Sequence, residues 1–305
     1  MPRLALGRVP VDSRSSAMPP QSDLDPTTLS LIDQALWEDL HDGDVTSLHF
    51  VPEEATSTGR IVSREDAVLA GVEVAARVFE VFDPGLDVAC LLRSGDAIRR
   101  GEVAMVISGS SRSILSAERT ALNFLQQLSG VATLTRAFVD AVGDHHARIL
   151  DTRKTTPGWR LLQKQAVLAG GGKNHRMGLY DMVMVKDNHL KASGSLAAIQ
   201  SAIDAIRAER PDIKIELEVD TLDQLEKFLT LRGVDFILLD NRGPDLLREA
   251  VAMNSAGGGV VGLEASGGVN LQTVEGIAAS GVDFISVGAL THSARSVDLS
   301  LEFDQ

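Results

Sequence analysis

The sequence predicts an α/β protein whose second half is a TIM-like parallel barrel, closed or incomplete. Three observations carry this. Six short apolar runs recur from residue 147 onward: ARILD (147–151), MVMVK (182–186), IKIELEV (213–219), DFILLD (235–240), GVVGLEAS (259–266) and DFISVG (283–288). Helix-like segments alternate with them, among them GWRLLQKQAVLAG, SLAAIQSAIDAIRAE, TLDQLEKFLTLR, PDLLREAVAM and NLQTVEGIAAS. Strands alternating with helices imply a parallel sheet. Polar residues also gather at the C-terminal end of nearly every run, the face on which such a barrel builds its active site. No GxGxxG follows any of these strands, which weighs against an open dinucleotide-binding sheet.

The remaining elements follow in chain order. The first 25 residues hold Pro, Ser and Arg without a sustained apolar stretch. They read as a disordered tail rather than a secretory signal, or as an upstream extension with Met18 as the natural start. Residues 27–40 place Leu29, Ile32, Leu36 and Leu40 at helical spacing. Residues 56–71 look extended, and 87–111 read as short strands punctuated by glycine. Residues 114–142 are helical, broken near Gly130, with Ser116 as a cap. Thr156–Pro157 reads as an N-cap and first helical residue, and Gly170 as the C-terminal glycine of that helix.

Composition limits the function. A net charge of −13 argues against a nucleic-acid partner and against an anionic membrane surface. No apolar run reaches the roughly 18 residues that span a bilayer. The single cysteine, Cys90, excludes an intrachain disulfide and leaves no Cys-based metal site. A reducing, cytoplasmic compartment is the expectation.

Against that acidic background, residues 151–191 carry eight Lys or Arg and only three acids. Arg153, Lys154, His175, Arg176 and Lys186 fall at or near strand ends, where they would repel one another unless anions sat among them. Arginine suits bidentate recognition of carboxylate or phosphate, and lysine acts as a point charge. Lys164, Lys173 and Lys191 read instead as solvated surface charges. Glu216 and Glu218 lie two apart and share one face of a strand. Asp240 ends the neighbouring run. Such oxygen donors suit Mg²⁺ or sugar hydroxyls, and Glu216 equally suits a buried ion pair with a lysine. Two glycine loops, 264–270 and 286–294, follow the last runs and let backbone N–H groups approach a phosphate. From the residues alone, the reading is a barrel enzyme acting on small anionic substrates, at least one a phosphate, with Mg²⁺.

DTRKTTPGWR, GGGKNHRMGL, MVKDNH, ELEVD, LLDN, EASGGV and SVGALTHSA, in that order, resemble quinolinate phosphoribosyltransferase, the carboxylating nicotinate-nucleotide pyrophosphorylase. GDVTS, AVLAG and SAERTALNFLQQLSG match its N-terminal half. The resemblance implies an N-terminal α/β sandwich domain over 26–130 and an open TIM-like α/β barrel over 131–290. Segment 291–305 should pack back on the N-terminal domain, and 1–25 stay outside as the tail. It also implies transfer of phosphoribose from phosphoribosyl pyrophosphate to quinolinate, with loss of pyrophosphate and CO₂, giving nicotinate mononucleotide. By the same resemblance, Arg153, His175 and Arg176 hold quinolinate carboxylates, with Arg119 reaching in from the partner of a homodimer or larger homo-oligomer. Thr152 lies at the substrate, and Lys154 and Lys186 serve the phosphoribosyl donor or the quinolinate edge. Glu218 and Asp240 hold ribose hydroxyls and Mg²⁺. Ser266, Gly267, Gly268 and Gly288 bind the 5′-phosphate. Lys154, Lys186, Glu218 and Asp240 form the catalytic set. Alternatives are a related phosphoribosyltransferase with another acceptor, nicotinate or that of a molybdate-transport-linked paralogue, and a non-catalytic ligand sensor.

Overall fold

The computed structural model describes residues 24–186 and 195–304. Met18 with most of the tail, Asp187–His189 of the MVKDNH stretch, and Lys191 lie outside the described residues.

The N-terminal layer begins with α1 (Pro26–Leu40), capped by Asp25, whose carboxylate accepts from the Thr27 and Thr28 N–H groups. Ile32 and Leu36 supply its buried face. A short α2 (Val45–Phe50) follows. Then come β1 (Thr56–Ser63), β2 (Ala67–Val68), α3 (Val72–Phe82), β3 (Asp87–Cys90), β4 (Ala97–Ile98) and β5 (Val103–Ser110). The sequence reading places no helix over 72–82, yet Val72, Ala75, Ala76 and Phe79 line one side of α3 and are buried. β1, β5 and β3 are antiparallel neighbours, and the sheet is completed on the far side of β1 by β12 (Leu299–Phe303).

One long helix, α4 (Ser111–Val142), connects this layer to the second half. It is continuous through Gly130, contrary to the expected break. Gly130 serves packing: a Cβ there would run into the backbone carbonyl of Arg295. The cap is Ser110, whose hydroxyl accepts from Ser113 N–H. Ser116 lies inside the helix and its hydroxyl donates to Asp44 instead.

The second half contains β6 (Arg148–Leu150), α5 (Arg160–Ala169), β7 (Met182–Val185), α6 (Leu196–Glu209), β8 (Lys214–Val219), α7 (Leu222–Phe228), β9 (Phe236–Asp240), α8 (Pro244–Ala256), β10 (Gly262–Ser266), α9 (Val274–Ala278), β11 (Phe284–Ser286) and α10 (Ala289–His292). The six strands form one parallel sheet in the order β6-β11-β10-β9-β8-β7. All six expected runs are strands. β6 and β7 are the two edges and no pairing joins them among the described residues, so the sheet is open. The helix after β6 starts at Arg160, not at Pro157. Residues 156–159 form a turn closed by Trp159 N–H to the Thr156 carbonyl, and the Gln163 side chain bonds both the N–H and the hydroxyl of Thr156.

The inward residues of neighbouring strands meet one another. Phe236 meets Phe284 edge to face, with ring centroids 5.6 Å apart, and Gly262 leaves them room. Register sets Glu216 beside Phe236, and Leu238 between Glu218 and Glu264. Asp240 and Ser266 pair at the C-terminal ends of their strands, and Glu218 stands one residue before the end of β8. Among the described residues no helix is long and apolar enough to cross a membrane.

The C-terminal segment is tied down by Glu65, which accepts from the Arg295 guanidinium and from Asp298 N–H. The Arg295 bonds pull its carboxyl down to about 2 from an ordinary 4.5. A carboxyl lowered on folding stabilises the fold fully above its unfolded value and loses that contribution as pH falls toward the folded one. Melting temperature should therefore fall more steeply between pH 4.5 and 2 in the wild type than in Glu65→Gln, which should already melt lower at pH 7. Parallel curves would show that Glu65 contributes nothing there.

Candidate active site

At the C-terminal ends of the parallel strands lies a cavity of about 590 Å³. Thr152, Arg153 and Lys154 reach it from the loop after β6, and His175 and Arg176 from the loop after α5. Lys186 follows β7, Glu218 is the penultimate residue of β8, and Asp240 ends β9. Ser266, Gly267 and Gly268 close the far side after β10. Burial and the nearby Arg153 cation both lower the pKa of Arg176. Like charges facing one cavity in this way favour an anion between them.

The opposite wall differs. Lys186 Nζ lies 2.5 Å from Glu218 Oε2, and Asp240 Oδ2 accepts from Asn241 Nδ2 at 2.7 Å. Gly267 and Gly268 have φ of +89° and +62°, and a Cβ on Gly267 would strike the Asn241 side chain. This left-handed backbone is one that glycine adopts without strain. Gly288 does not line the cavity. It lies under Lys154, whose Cδ would be 3.0 Å from an added Cβ, so its lack of a side chain leaves room for that lysine.

The cavity floor holds a buried triad. His175 Nε2 is 3.2 Å from Glu216 and 3.4 Å from Glu264, and Ser286 donates to Glu264. Glu216 is fully buried, and its partner is a histidine rather than the expected lysine. Burial pushes the Glu216 carboxyl up to about 7. Burial opposes charge on His175, while the two carboxylates favour it and hold the ring above its ordinary value. Arg176 N–H donates to His175 Nδ1 at 2.7 Å, which requires a lone pair there and leaves the ring proton on Nε2, facing the carboxylates. We favour this singly protonated ring, because a fully charged one could not accept the Arg176 bond. His175, Glu216 and Glu264 bring three donor atoms within 4.8 Å, but a nitrogen that carries its proton is not a metal ligand. Glu218 and Asp240 differ: both line the open cavity and offer oxygen donors of the kind Mg²⁺ takes alongside water and phosphate.

Two cations of the basic stretch are structural. Lys164, expected on the surface, is fully buried and paired with Asp151. Burial lowers the lysine's pKa and raises the aspartate's, and their bond opposes both shifts. Arg160 bonds Thr155 Oγ1 and the carbonyls of Met177 and Arg153.

The quinolinate phosphoribosyl transferase C-terminal domain matches residues 131–302, and the N-terminal domain of the same family matches 44–129. The chain belongs to the quinolinate phosphoribosyl transferase family. It is 41% identical over 291 residues to the chloroplastic carboxylating nicotinate-nucleotide pyrophosphorylase of Arabidopsis thaliana, covering 90% of this chain and 82% of the relative. Identity to the carboxylating nicotinate-nucleotide pyrophosphorylase of Mycobacterium leprae is 44% over 274 residues, covering 89% of this chain and 95% of the relative. The solved nicotinate-nucleotide pyrophosphorylase of Francisella tularensis superposes with a TM-score of 0.87 at 35% identity, covering 93% of this chain and 98% of that one.

Of the residues that the family resemblance singles out, all but Arg119 and Gly288 line the one cavity. Arg119 is exposed on α4 and does not line it. Met184, Leu238, Asn241, Glu264 and Ser286 also line it without having been assigned a role. The period-two pattern of EAS and ISV carried the signal for Glu264 and Ser286. Met184 and Leu238 are apolar and looked like ordinary strand core.

Proposed function

We propose that this chain transfers phosphoribose from phosphoribosyl pyrophosphate to quinolinate and releases pyrophosphate and CO₂, yielding nicotinate mononucleotide. The observation that supports it most is the division of one cavity. A cationic end, Arg153 with Arg176, suits a planar dicarboxylate. The other end combines two carboxylates with a glycine turn, the chemistry of a ribose bearing a phosphate.

In this reading the two arginines fix the quinolinate carboxylates, while Lys154 and Lys186 face the pyrophosphate. Backbone N–H groups of Ser266–Gly268 receive the 5′-phosphate, and Gly288 gives Lys154 its place. His175, with its Nε2 turned to the floor, steadies Arg176 through Nδ1. When the C1–pyrophosphate bond breaks, positive charge grows on the ribose, and Glu218 and Asp240 stabilise it. The pyridine nitrogen lone pair then forms the bond to C1. The ring nitrogen is now cationic, so the electron pair left when the adjacent carboxylate departs as CO₂ is stabilised, and a solvent proton takes its place. Mg²⁺ held by Glu218 and Asp240 would neutralise charge on the leaving pyrophosphate. The half-buried Cys90 has no part, and burial pushes its thiol up to about 11.

Homodimerisation belongs to the same reading. Val45, Leu48 and Phe50 on α2 are 52–85% exposed. α2 packs on the start of α4, where Arg112 bonds the Leu48 and Val51 carbonyls and Ser116 bonds Asp44. Arg119 is one turn further along. A second chain covering this apolar end would receive Arg119 at its own cavity. We place the protein in the cytoplasm, consistent with a single unreactive thiol.

A product assay tests the acceptor. Nicotinate mononucleotide should appear only with quinolinate, the phosphoribosyl donor and Mg²⁺ together. Nicotinate carries one carboxylate and would leave one arginine unused, so equal turnover with nicotinate would refute the dicarboxylate assignment.

A further inference from the structure

We infer that the buried Asp151–Lys164 pair, with Arg160 one turn earlier on α5, is a positioning device that holds loops 152–154 and 174–176 together as one anion-binding surface. The inference rests on the dicarboxylate reading of that end of the cavity.

β6 is an edge strand. Beside it the chain adds one bridge, Leu150 to Lys173, with Lys173 N–H donating to the Ile149 carbonyl and Asp151 N–H to the Lys173 carbonyl. No further ladder bond of this edge carries the backbone to His175 and Arg176 among the described residues. Side chains take over. Asp151 Oδ1 accepts from His175 N–H at 2.9 Å and from Lys164 Nζ, and Lys164 Nζ also donates to the His175 carbonyl at 2.9 Å. The two polar groups of the His175 backbone are thus held by one ion pair. Arg160, four residues before Lys164 and so on the same helix face, donates to the Arg153 carbonyl at 3.4 Å and the Met177 carbonyl at 3.0 Å. Both loops are therefore fastened to α5, and neither Lys164 nor Arg160 lines the cavity.

A stabilising role alone explains this poorly. Two fully buried charges cost desolvation that their attraction barely offsets, and apolar replacements are often neutral or better for stability. What apolar residues cannot supply is the set of bonds that fixes where Arg153 and Arg176 stand. Of the donor-binding groups only Lys154 stands in the fastened loops; those on β8, β9 and β10 belong to other strands, so the donor should lose less than the dicarboxylate.

The test compares the wild type, the double variant Asp151→Leu/Lys164→Met and the single variant Arg160→Gln. Each is read by melting temperature, by the KM values of both substrates, and by calorimetric titration with benzene-1,2-dicarboxylate. Folded variants should bind quinolinate and the dicarboxylate on the order of 10- to 100-fold more weakly, as misplaced binding groups do, with a clearly smaller rise in the donor KM, because Lys154 alone of the donor's groups stands in the loosened loops. Wild-type dicarboxylate affinity in a folded variant, or equal loss for both substrates, would overturn the inference. Should the double variant not fold, Arg160→Gln decides alone by the same two criteria. A wild type that binds the dicarboxylate but does not turn over quinolinate would sink the reaction assignment. The positioning inference would still be judged by the titration.

Discussion

Arg119→Ala and Lys154→Ala should each leave little activity as homodimers, and a mixture of the two should recover about a quarter of all sites after random subunit exchange in a two-fold dimer. The two residues lie far apart in function within one chain. Lys154 lines the cavity, whereas Arg119 is exposed on α4 and does not. If Arg119 completes the partner's site, a mixed dimer holds one doubly damaged site and one intact site. About half of randomly exchanged dimers are mixed, which gives the quarter. Native mass spectrometry shows whether mixed dimers formed, and activity is compared before and after exchange. Mixed dimers without recovered activity would mean that Arg119 acts in its own chain or not at all.

Asp240→Asn should lower kcat by about a hundredfold or more while leaving the melting temperature close to wild type, the scale expected when one preorganised charge is removed from a developing ion. Shape and the contact with Asn241 are nearly kept, so lost turnover reports lost charge. The Mg²⁺ concentration needed for half-maximal rate should rise as well. Wild-type turnover with an unchanged Mg²⁺ requirement would remove Asp240 from both roles.

Strand ends were legible because the signal is local. An apolar run closing on a polar residue is visible without knowing what packs where, and two-residue spacing put Glu216 and Glu218 on one face before any fold was assumed. The failures came where a residue's role is set by distant chain. Lys164 looked like a solvated helix charge, and only the fold brings Asp151 and the His175 carbonyl to it. Gly130 looked like a helix breaker because the Arg295 backbone that needs its missing side chain is far along the sequence. Glu264 stood inside a motif read for its glycines, while its partners His175 and Ser286 come from other elements. Helix α3 is a different matter. Its spacing of Val72, Ala75, Ala76 and Phe79 was present, but the stretch adjoins a region that reads as extended, and β-branched residues gave no contrast. Arg119 carries no local signal at all, and resemblance alone pointed to it.

The central claim is that one cavity joins a dicarboxylate to a phosphoribosyl donor and then expels a carboxylate. Quinolinate labelled with ¹³C in the carboxylate next to the ring nitrogen tests it most directly. Incubated with enzyme, phosphoribosyl pyrophosphate and Mg²⁺, it should give labelled CO₂ and unlabelled nicotinate mononucleotide in equal amounts. Label retained in the nucleotide, or nucleotide formed without labelled CO₂, would contradict the account.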